Sequence, residues 1–219
     1  MKHGYFITGT DTNVGKTWAT LTLMTYFKQK QQCVLGMKPV ASGCEQQDGQ
    51  WRNADALAIQ QCGAVWVDYE IINPYAYALP ISPHLAGKSH PVDVEVVLGH
   101  FNTLQALAEV VIVEGAGGWY TPLNATQTIA NLAQALALPV ILVVSVKLGC
   151  LNHAQLTFEA IEKATLPCAG WLAVCSDKDF TCIEATIASL TTQLPVPLLG
   201  ILPYLEQGDF DYLATKIHV

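Results

Sequence analysis

The sequence predicts an α/β fold in which a mostly parallel sheet carries helices on both faces. Apolar β-branched runs alternate with helical patterns, and a glycine-rich loop joins the first run to the first helical segment. Lys16, Lys38 and Lys147 lie at or just beyond predicted strand ends, the edge where open parallel sheets bind ligands. At 219 residues, the chain suits one domain spanning residues 1–219.

The first half of the chain supplies three predicted strands and three predicted helices. The strands are the apolar runs Tyr5–Thr8, Val34–Pro39 and Val110–Glu114. Helical patterns between them cover Lys16–Gln29, Ala54–Gln61 and Val94–Leu107. The stretch Asn73–Pro91 contains four prolines, so we expect it to wrap the surface, with Pro83-His84-Leu85 as a candidate binding loop.

The second half continues the alternation. Predicted strands cover Val140–Val146, Cys168–Val174 and Leu198–Ile201, and predicted helices cover Thr128–Leu136, Asn152–Ala164 and Cys182–Gln193. The longest apolar run, residues 138–144, is far shorter than the roughly 20 residues of a membrane helix. Few apolar residues precede the glycine-rich loop, so the N-terminus does not suit a secretory signal. We expect a cytoplasmic enzyme with no membrane partner.

Charge and cysteine content exclude further classes of protein. The net charge is −7 with only 11 basic residues, which disfavours nucleic acid as a partner because phosphate-backbone binding needs a concentrated cationic face. Seven cysteines without a Cys-x-x-Cys pair indicate reduced thiols instead of a disulfide framework or a zinc site.

The glycine-rich loop has the layout of a phosphate-binding loop. The residues Gly9-Thr10-Asp11-Thr12-Asn13-Val14-Gly15-Lys16-Thr17 stand between the first strand and the first helix. Glycines let backbone N–H groups turn toward phosphate oxygens, and the helix N-terminus adds its positive dipole end. Lys16 supplies a charge to the outer phosphates and Thr17 a hydroxyl for Mg²⁺. The fold is therefore expected to be P-loop NTPase-like, with a loop one residue longer than the common pattern.

Three other polar residues are candidates for the same sheet edge. Glu114 ends a buried strand before three glycines and an alanine, which suits a metal ligand, although it can also cap a local turn. Asp55 lies in a first helical turn, where the helix dipole alone favours a carboxylate. Lys38 follows a strand, and position alone fits a site residue or a solvated edge charge equally well.

Five segments in order closely resemble the dethiobiotin synthetase family, over nearly the whole chain. They are GTDTNVGKT, KPVASG, RNADALA, VEGAGGW and VKLGCLNHA, and NPYAYALPISPH in the turn-rich stretch also matches. The resemblance implies a carbon–nitrogen ligase that joins CO₂ to 7,8-diaminononanoate at the expense of ATP. A carbamate forms on one amine, the γ-phosphoryl group activates it, and the second amine closes the ureido ring of dethiobiotin.

The resemblance also implies roles for matching residues. Lys38 and Lys16 would be catalytic, and Thr17, Asp55 and Glu114 would hold Mg²⁺. The diamine would contact Thr12 and Ser42, and across a homodimer interface Gly118, Gly149 and Asn152. Nucleotide contacts are expected from Asn13, Val14, Gly15, Lys16, Thr17, Trp18, Asp55, Glu114, Gly115, Ala116, Gly117, Val174, Cys175, Pro203, Tyr204 and Leu205.

One departure from the family pattern concerns the base. Where an asparagine commonly contacts adenine, this chain has Val174-Cys175. Hydrogen bonds discriminate between bases, because a buried polar group left without its partner costs more than a lost apolar contact. The substitution predicts a relaxed choice of nucleotide.

Two other classes of protein remain as alternatives. A ParA-like or MinD-like ATPase shares this fold and switches partners through nucleotide-dependent dimerisation. Such loops begin with Lys-Gly-Gly, whereas Gly9-Thr10-Asp11 has no lysine, and the acidic chain has no basic or amphipathic targeting tail. A cobyrinic acid type amidotransferase would need a glutaminase domain, for which 219 residues leave no room.

Overall fold

The computed structural model describes residues 3–219, so the first two residues of the expected domain lie outside it. Ten strands are present among these residues: β1 His3–Gly9, β2 Val34–Met37, β3 Val40–Ser42, β4 Glu45–Gln47, β5 Gln50–Arg52, β6 Tyr75–Tyr77, β7 Val110–Gly118, β8 Val140–Ser145, β9 Cys168–Val174 and β10 Leu198–Leu202. The helices are α1 Lys16–Gln29, α2 Ala54–Cys62, α3 Tyr69–Ile72, α4 Pro83–Ala86, α5 Val94–Leu107, α6 Ile129–Leu136, α7 Cys150–Lys163, α8 Ile183–Gln193 and α9 Phe210–Ala214.

Six strands form one parallel sheet in the order β10-β9-β8-β1-β7-β2. All six residues of β8 are buried. Because successive strand residues point to opposite faces, the sheet must be covered on both sides. The α/β class, the parallel sheet and the two helical layers predicted from sequence are confirmed.

The predicted elements of the central sheet match closely. All six predicted strands and six predicted helices are present, with ends that differ by a few residues. The largest difference is at β7, which continues past Glu114 to Gly118 through the glycine-rich segment. Strand β2 is shorter than predicted and ends at Met37, so Lys38 and Pro39 lie beyond it.

The segment from Lys38 to Asp93, which we call the β2–α5 segment, contains most of the structure that sequence did not predict. Strands β3 and β6 form a small parallel sheet, and β4 and β5 form an antiparallel hairpin. Helices α3 and α4 are single turns of four residues each. The hairpin strand β4 is fully exposed, whereas Tyr75 and Tyr77 of β6 are buried. The segment packs beside the carboxyl end of β2, where the site lies.

None of the helices in residues 3–219 combines the length and hydropathy that a membrane crossing needs. All seven cysteines are free thiols.

Candidate active site

The glycine-rich loop runs from the end of β1 into α1 and has the backbone shape that phosphate binding requires. Gly15, directly before α1, has φ 91° and ψ 25°, a left-handed conformation that residues with a Cβ rarely adopt. Within residues 3–219, no side chain caps the first turn of α1, so its N–H groups remain available to an anion. The N–H of Thr10 donates to the Val143 carbonyl at 3.2 Å and ties the loop to β8.

Lys16 is the first residue of α1 and folds back over this loop. Its ammonium donates to the Asp11 carbonyl at 2.8 Å, and the residue is only 7% exposed. Burial lowers the pKa of Lys16 to about 8, an effect that Glu114 opposes and Lys38 reinforces. A nearby phosphate would favour the charged form and restore a higher pKa. Near and above pH 8, binding of an anion would therefore be coupled to proton uptake by Lys16.

Lys38, Asp55, Glu114 and Thr17 form one hydrogen-bonded cluster. The Lys38 ammonium lies 2.6 Å from Glu114 Oε1 and 2.7 Å from Asp55 Oδ2. The Thr17 hydroxyl donates to the same Glu114 oxygen at 3.0 Å. Burial lowers the pKa of Lys38, but Glu114 and Asp55 outweigh that effect and the net pKa is raised. The charged form of Lys38 is therefore favoured, and its ammonium is the shared counter-ion of the two carboxylates.

Four elements that are distant in sequence bring this cluster together. Glu114 belongs to β7, Lys38 follows the neighbouring strand β2, and Thr17 lies in the first turn of α1. Asp55 lies in the first turn of α2, whose N-cap Asn53 accepts a hydrogen bond from the Ala56 N–H at 3.2 Å. The residues that sequence analysis proposed as metal ligands therefore converge on Lys38.

The donor set suits a hard divalent cation. Glu114 is fully buried, and its Oε2 has no hydrogen-bond partner within residues 3–219. Two carboxylates and a hydroxyl are the oxygen donors that Mg²⁺ prefers, usually completed by water and phosphate. Among the described residues no group of three His, Cys, Asp or Glu side chains forms a metal site. A cation here would consequently depend on phosphate and water oxygens as well, which fits an ion that arrives with a nucleotide.

These groups line a cavity of about 890 Å³. Most of the site residues predicted from sequence lie on its wall: Thr12, Asn13, Gly15, Lys16, Thr17, Trp18, Lys38, Ser42, Asp55, Glu114, Gly115, Ala116, Gly117, Val174, Cys175, Pro203, Tyr204 and Leu205. The Ser42 hydroxyl is buried without a hydrogen-bond partner among residues 3–219. A donor or acceptor on a bound molecule would satisfy it.

Four predicted site residues do not line this cavity. Val14 is fully buried beneath the loop, where its side chain packs against Gly9. Gly118 lies at the end of β7, close to the main chain of Gly9 and Thr10. Gly149 and Asn152 are exposed at the start of α7. Gly149 has φ 90°, and among the described residues no side chain caps α7, so this helix start repeats the geometry found at Gly15.

Several residues of the cavity wall were not predicted from sequence. They are Val40, Ala41, Asn53, Pro80, Ile81, Ser82, Thr121, Pro122 and Ser176. The turn-rich stretch gave a usable signal, because it was expected to carry a binding loop at Pro83-His84-Leu85. Pro83 does line the cavity, but His84 and Leu85 continue into α4 and do not.

Val174 and Cys175, also on the cavity wall, end β9 and start the following loop. Val174 packs against the phosphate loop, since a Cβ added to Gly15 would lie 2.7 Å from Val174 Cγ1. The Val174 carbonyl accepts from the Val146 N–H at 2.8 Å, and the Cys175 N–H donates to the Leu202 carbonyl at 2.9 Å. These main-chain groups already have partners inside the protein.

Comparisons with known proteins identify a family. Residues 3–210 match the model of a family described as "AAA domain". The chain is 44% identical over 217 residues to the ATP-dependent dethiobiotin synthetase of Xylella fastidiosa strain M12, covering 98% of this chain and 96% of the relative. It is 43% identical over 220 residues to the Cellvibrio japonicus protein of the same name, covering 100% and 96%. A Salmonella typhi relative, dethiobiotin synthetase 1, is 46% identical over 207 residues, covering 94% and 91%.

A solved structure gives an independent view of the fold. The septum site-determining protein MinD from Pyrococcus horikoshii, in complex with Mg-ADP, superposes with a TM-score of 0.54 over 93% of this chain and 82% of that protein. The sequence identity is only 17%, so this likeness supports the P-loop architecture alone. The MinD-like alternative considered from sequence is less well supported than the synthetase resemblance.

Proposed function

This chain belongs to the ATP-dependent dethiobiotin synthetase family, and we propose that its cavity joins CO₂ to 7,8-diaminononanoate with the consumption of ATP to give dethiobiotin in biotin biosynthesis. The observation that carries the proposal is the position of the Lys38 ammonium, 2.6 Å from Glu114, in the cavity that the phosphate loop lines. With Mg²⁺ on the two carboxylates, the Lys38 ammonium would be a fixed cation beside the phosphate loop, which suits a second, anionic reactant next to the triphosphate. A carbamate is such a reactant.

The nucleotide is an ATP whose outer phosphates occupy the loop. Backbone N–H groups around Gly15 and the start of α1 bind phosphate oxygens, and Lys16 turns from the Asp11 carbonyl toward them. Mg²⁺, held by Thr17, Asp55 and Glu114, would neutralise charge on the β- and γ-phosphates.

The substrate chemistry needs two anions side by side. One amine of the diamine adds to CO₂ and loses a proton, which gives a carbamate. A carbamate oxygen takes the γ-phosphoryl group and ADP leaves, and the second amine then attacks the carbamate carbon, loses a proton and expels phosphate. Lys38 orients and polarises the carbamate, Lys16 contacts both anions, and Thr12 and Ser42 contact the reacting end of the diamine.

The remaining substrate contacts lie outside the cavity of one protomer. We place the diamine carboxylate at the start of α7 of a second copy, where Gly149 and Asn152 are exposed, with Gly118 near the shared boundary. An uncapped helix start suits a carboxylate. Leu148 is 91% exposed beside this site and Leu156 is 58% exposed on the same helix. Both would be covered in a homodimer.

We further propose a relaxed choice of nucleotide and a cytoplasmic location, where ATP is available. Val174 offers no hydrogen bond to a base, and its carbonyl is already bonded to Val146. The net charge of −7 with 11 basic residues supports a role that involves neither nucleic acid nor an acidic membrane surface.

The direct test is to incubate the protein with 7,8-diaminononanoate, bicarbonate and Mg-ATP and to follow dethiobiotin by mass spectrometry. We expect product from wild type and none from Lys38→Ala or Lys16→Ala. Omission of bicarbonate and a Lys163→Ala variant are the controls, since Lys163 is exposed at the end of α7. Hydrolysis of ATP without dethiobiotin would leave the phosphate loop in place but remove the substrate assignment.

A further inference from the structure

Lys38 lies outside the central sheet, so the sheet does not set its position. Strand β2 pairs with β7 only as far as Met37, opposite Val113. The next strand, β3, begins at Val40 and belongs to a different sheet. Something other than the parallel ladder must therefore hold the main chain that carries the Lys38 ammonium.

Helix α3 and the residue that follows it supply this support. The Lys38 N–H donates to the Ile72 carbonyl at 3.0 Å, and the Lys38 carbonyl accepts from Asn73 Nδ2 at 2.6 Å. Asn73 is only 2% exposed and has no contact with the cavity. Both the main-chain N–H and the main-chain carbonyl of Lys38 are thus held by residues 69–73.

The same turn also reaches the helix that carries Asp55. The Tyr69 hydroxyl donates to Asn73 Oδ1 at 2.8 Å and accepts from the Asn53 N–H at 2.8 Å. Asn53 in turn caps α2, in whose first turn Asp55 lies. Hydrogen bonds therefore run without a break from the Asn53 N–H through Tyr69 and Asn73 to the Lys38 carbonyl.

This relay has only one possible polarity. The Tyr69 hydroxyl has one proton, which must go to Asn73 because the Asn53 N–H is a donor. A reversed Asn73 amide would point its oxygen at the Lys38 carbonyl, leaving two acceptors in contact. Each polar side-chain atom of Tyr69 and Asn73 has a hydrogen-bond partner in the observed arrangement, which makes the relay a rigid link between the two segments.

We propose that Tyr69 and Asn73 are positioning residues for the reaction: their relay fixes the Lys38 main chain relative to the start of α2, and thereby the placement of the Lys38 ammonium at the site. The inference rests on the proposed function, because it assigns Lys38 the task of orienting the carbamate. Positioning errors of about 1 Å can cost about 10²-fold in rate, so loss of the relay should appear in turnover. Neither residue touches the phosphate loop, so nucleotide binding should be spared.

The test compares Tyr69→Phe with a matched variant, Tyr75→Phe. Both tyrosines are buried, at 5% and 3% exposure, and each hydroxyl accepts one backbone N–H, from Asn53 at 2.8 Å and from Asp93 at 2.9 Å. Tyr75 takes no part in the relay. We expect Tyr69→Phe to lower kcat about tenfold or more with the KM for ATP changed less than about twofold, and Tyr75→Phe to leave kcat within about twofold. Equal kcat values for the two variants, with similar losses of thermal stability, would mean that Tyr69 has only a structural role.

A second pair of variants keeps the proposal testable if Tyr69→Phe folds poorly. Asn73→Leu removes the bond to the Lys38 carbonyl and keeps the branching and the number of heavy atoms of the side chain. We expect it to lower kcat in the same way, and the Tyr69→Phe/Asn73→Leu double variant to be little worse than either single variant, because both act on one relay. Losses that multiply in the double variant would contradict a shared relay.

An activity-independent measurement separates this inference from the proposed function. The ¹⁵N-labelled ammonium signal of Lys38, assigned by its loss in Lys38→Met, reports the ion pair directly. It should shift or broaden in Tyr69→Phe and stay unchanged in Tyr75→Phe. An unchanged signal in Tyr69→Phe overturns the relay, whereas a changed signal in a protein that makes no dethiobiotin overturns only the substrate assignment.

Discussion

The central sheet and the β2–α5 segment each supply one lysine to the same cavity, and the two lysines differ in almost every respect. Lys16 follows the phosphate loop at the sheet edge, its ammonium bonded to the Asp11 carbonyl, and burial lowers its pKa to about 8. Lys38 begins the segment and lies between two carboxylates, which raise its pKa despite burial. The Lys16 ammonium would gain a counter-ion when an anion binds, whereas the Lys38 ammonium is already paired with two carboxylates.

The difference separates two tasks. At the edge of the sheet, one contiguous stretch of the chain, residues 9–17, forms the phosphate site. The second site consists of residues that are far apart in sequence. Lys38 and Asp55 belong to the segment, and Glu114 of β7 pairs with Lys38. Variants that remove one lysine at a time should therefore damage different steps.

The largest effect should come from Lys38→Met. We expect dethiobiotin formation to fall by about 10³-fold or more, because Lys38 both orients and polarises the carbamate, while nucleotide affinity changes less than about threefold. Lys16→Met should weaken nucleotide affinity by about tenfold or more as well. Steady-state kinetics and titration with a fluorescent ATP analogue measure both quantities. Similar losses of nucleotide affinity in the two variants would erase the distinction between the regions.

Lys38→Met should also change metal binding in the absence of nucleotide. The Lys38 ammonium is paired with both Glu114 and Asp55, so its removal leaves the two carboxylates without this shared counter-ion. We expect Mn²⁺, used as a paramagnetic probe, to bind the variant about tenfold more tightly than wild type. Lys163→Met, at an exposed position, serves as the control. No gain in Mn²⁺ affinity would mean that the carboxylates do not form the cation site.

The two carboxylates should also differ, because one belongs to each region. Glu114 is fully buried in β7 and contacts both Thr17 and Lys38, whereas the Asp55 side chain is 45% exposed. Glu114→Gln should lower kcat by about 10²-fold, and Asp55→Asn by about tenfold. Titration of kcat with Mg²⁺ measures the effect, and both variants should need more Mg²⁺. A larger loss of kcat for Asp55→Asn than for Glu114→Gln would mean that the cation depends more on Asp55 of the segment than on Glu114 of the sheet.

The lowered pKa of Lys16 predicts a pH dependence for nucleotide binding. Above about pH 8 the free protein loses the Lys16 proton, whereas bound phosphate favours the charged lysine, so binding must take up a proton. Affinity should fall as pH rises from about 8 toward 10, by up to about tenfold per unit. Calorimetry in buffers of different ionisation enthalpy measures the uptake, which Lys16→Met should abolish. Proton release in place of uptake would contradict the assigned sign.

The two regions also differ in how far sequence alone predicts them. The six strands of the central sheet were found because a parallel strand buried on both faces is a continuous apolar run, as at Val140–Ser145. The phosphate loop was found because its chemistry depends on neighbouring residues. The β2–α5 segment lacks both signals. Its strands are three residues long, and the exposed hairpin β4–β5 buries too little apolar surface to leave a periodic pattern.

The site was predictable only as a set of residues. Lys38, Asp55 and Glu114 were expected at the site from the family resemblance. Sequence position alone did not distinguish a site role for Lys38 from a solvated edge charge, or a site role for Asp55 from an interaction with the helix dipole. What the sequence could not indicate is that Lys38 contacts both carboxylates, since that contact depends on where α2 begins. The relay through Tyr69 and Asn73 was not predicted from sequence, because it joins three short segments through single hydrogen bonds.

The smallest expected effect concerns the choice of nucleotide base, which we expect to depend on Val174 at the end of a central-sheet strand. Val174 ends β9 and packs against Gly15 of the phosphate loop, so an apolar side chain stands where the family pattern has an amide. GTP or CTP should therefore support more than about 1% of the turnover seen with ATP at equal concentration. Val174→Asn, similar in volume, should raise the preference for ATP over GTP by about tenfold with little change in kcat for ATP. A wild-type protein with GTP turnover below that threshold would mean that another group, such as the Ser176 hydroxyl on the cavity wall, reads the base.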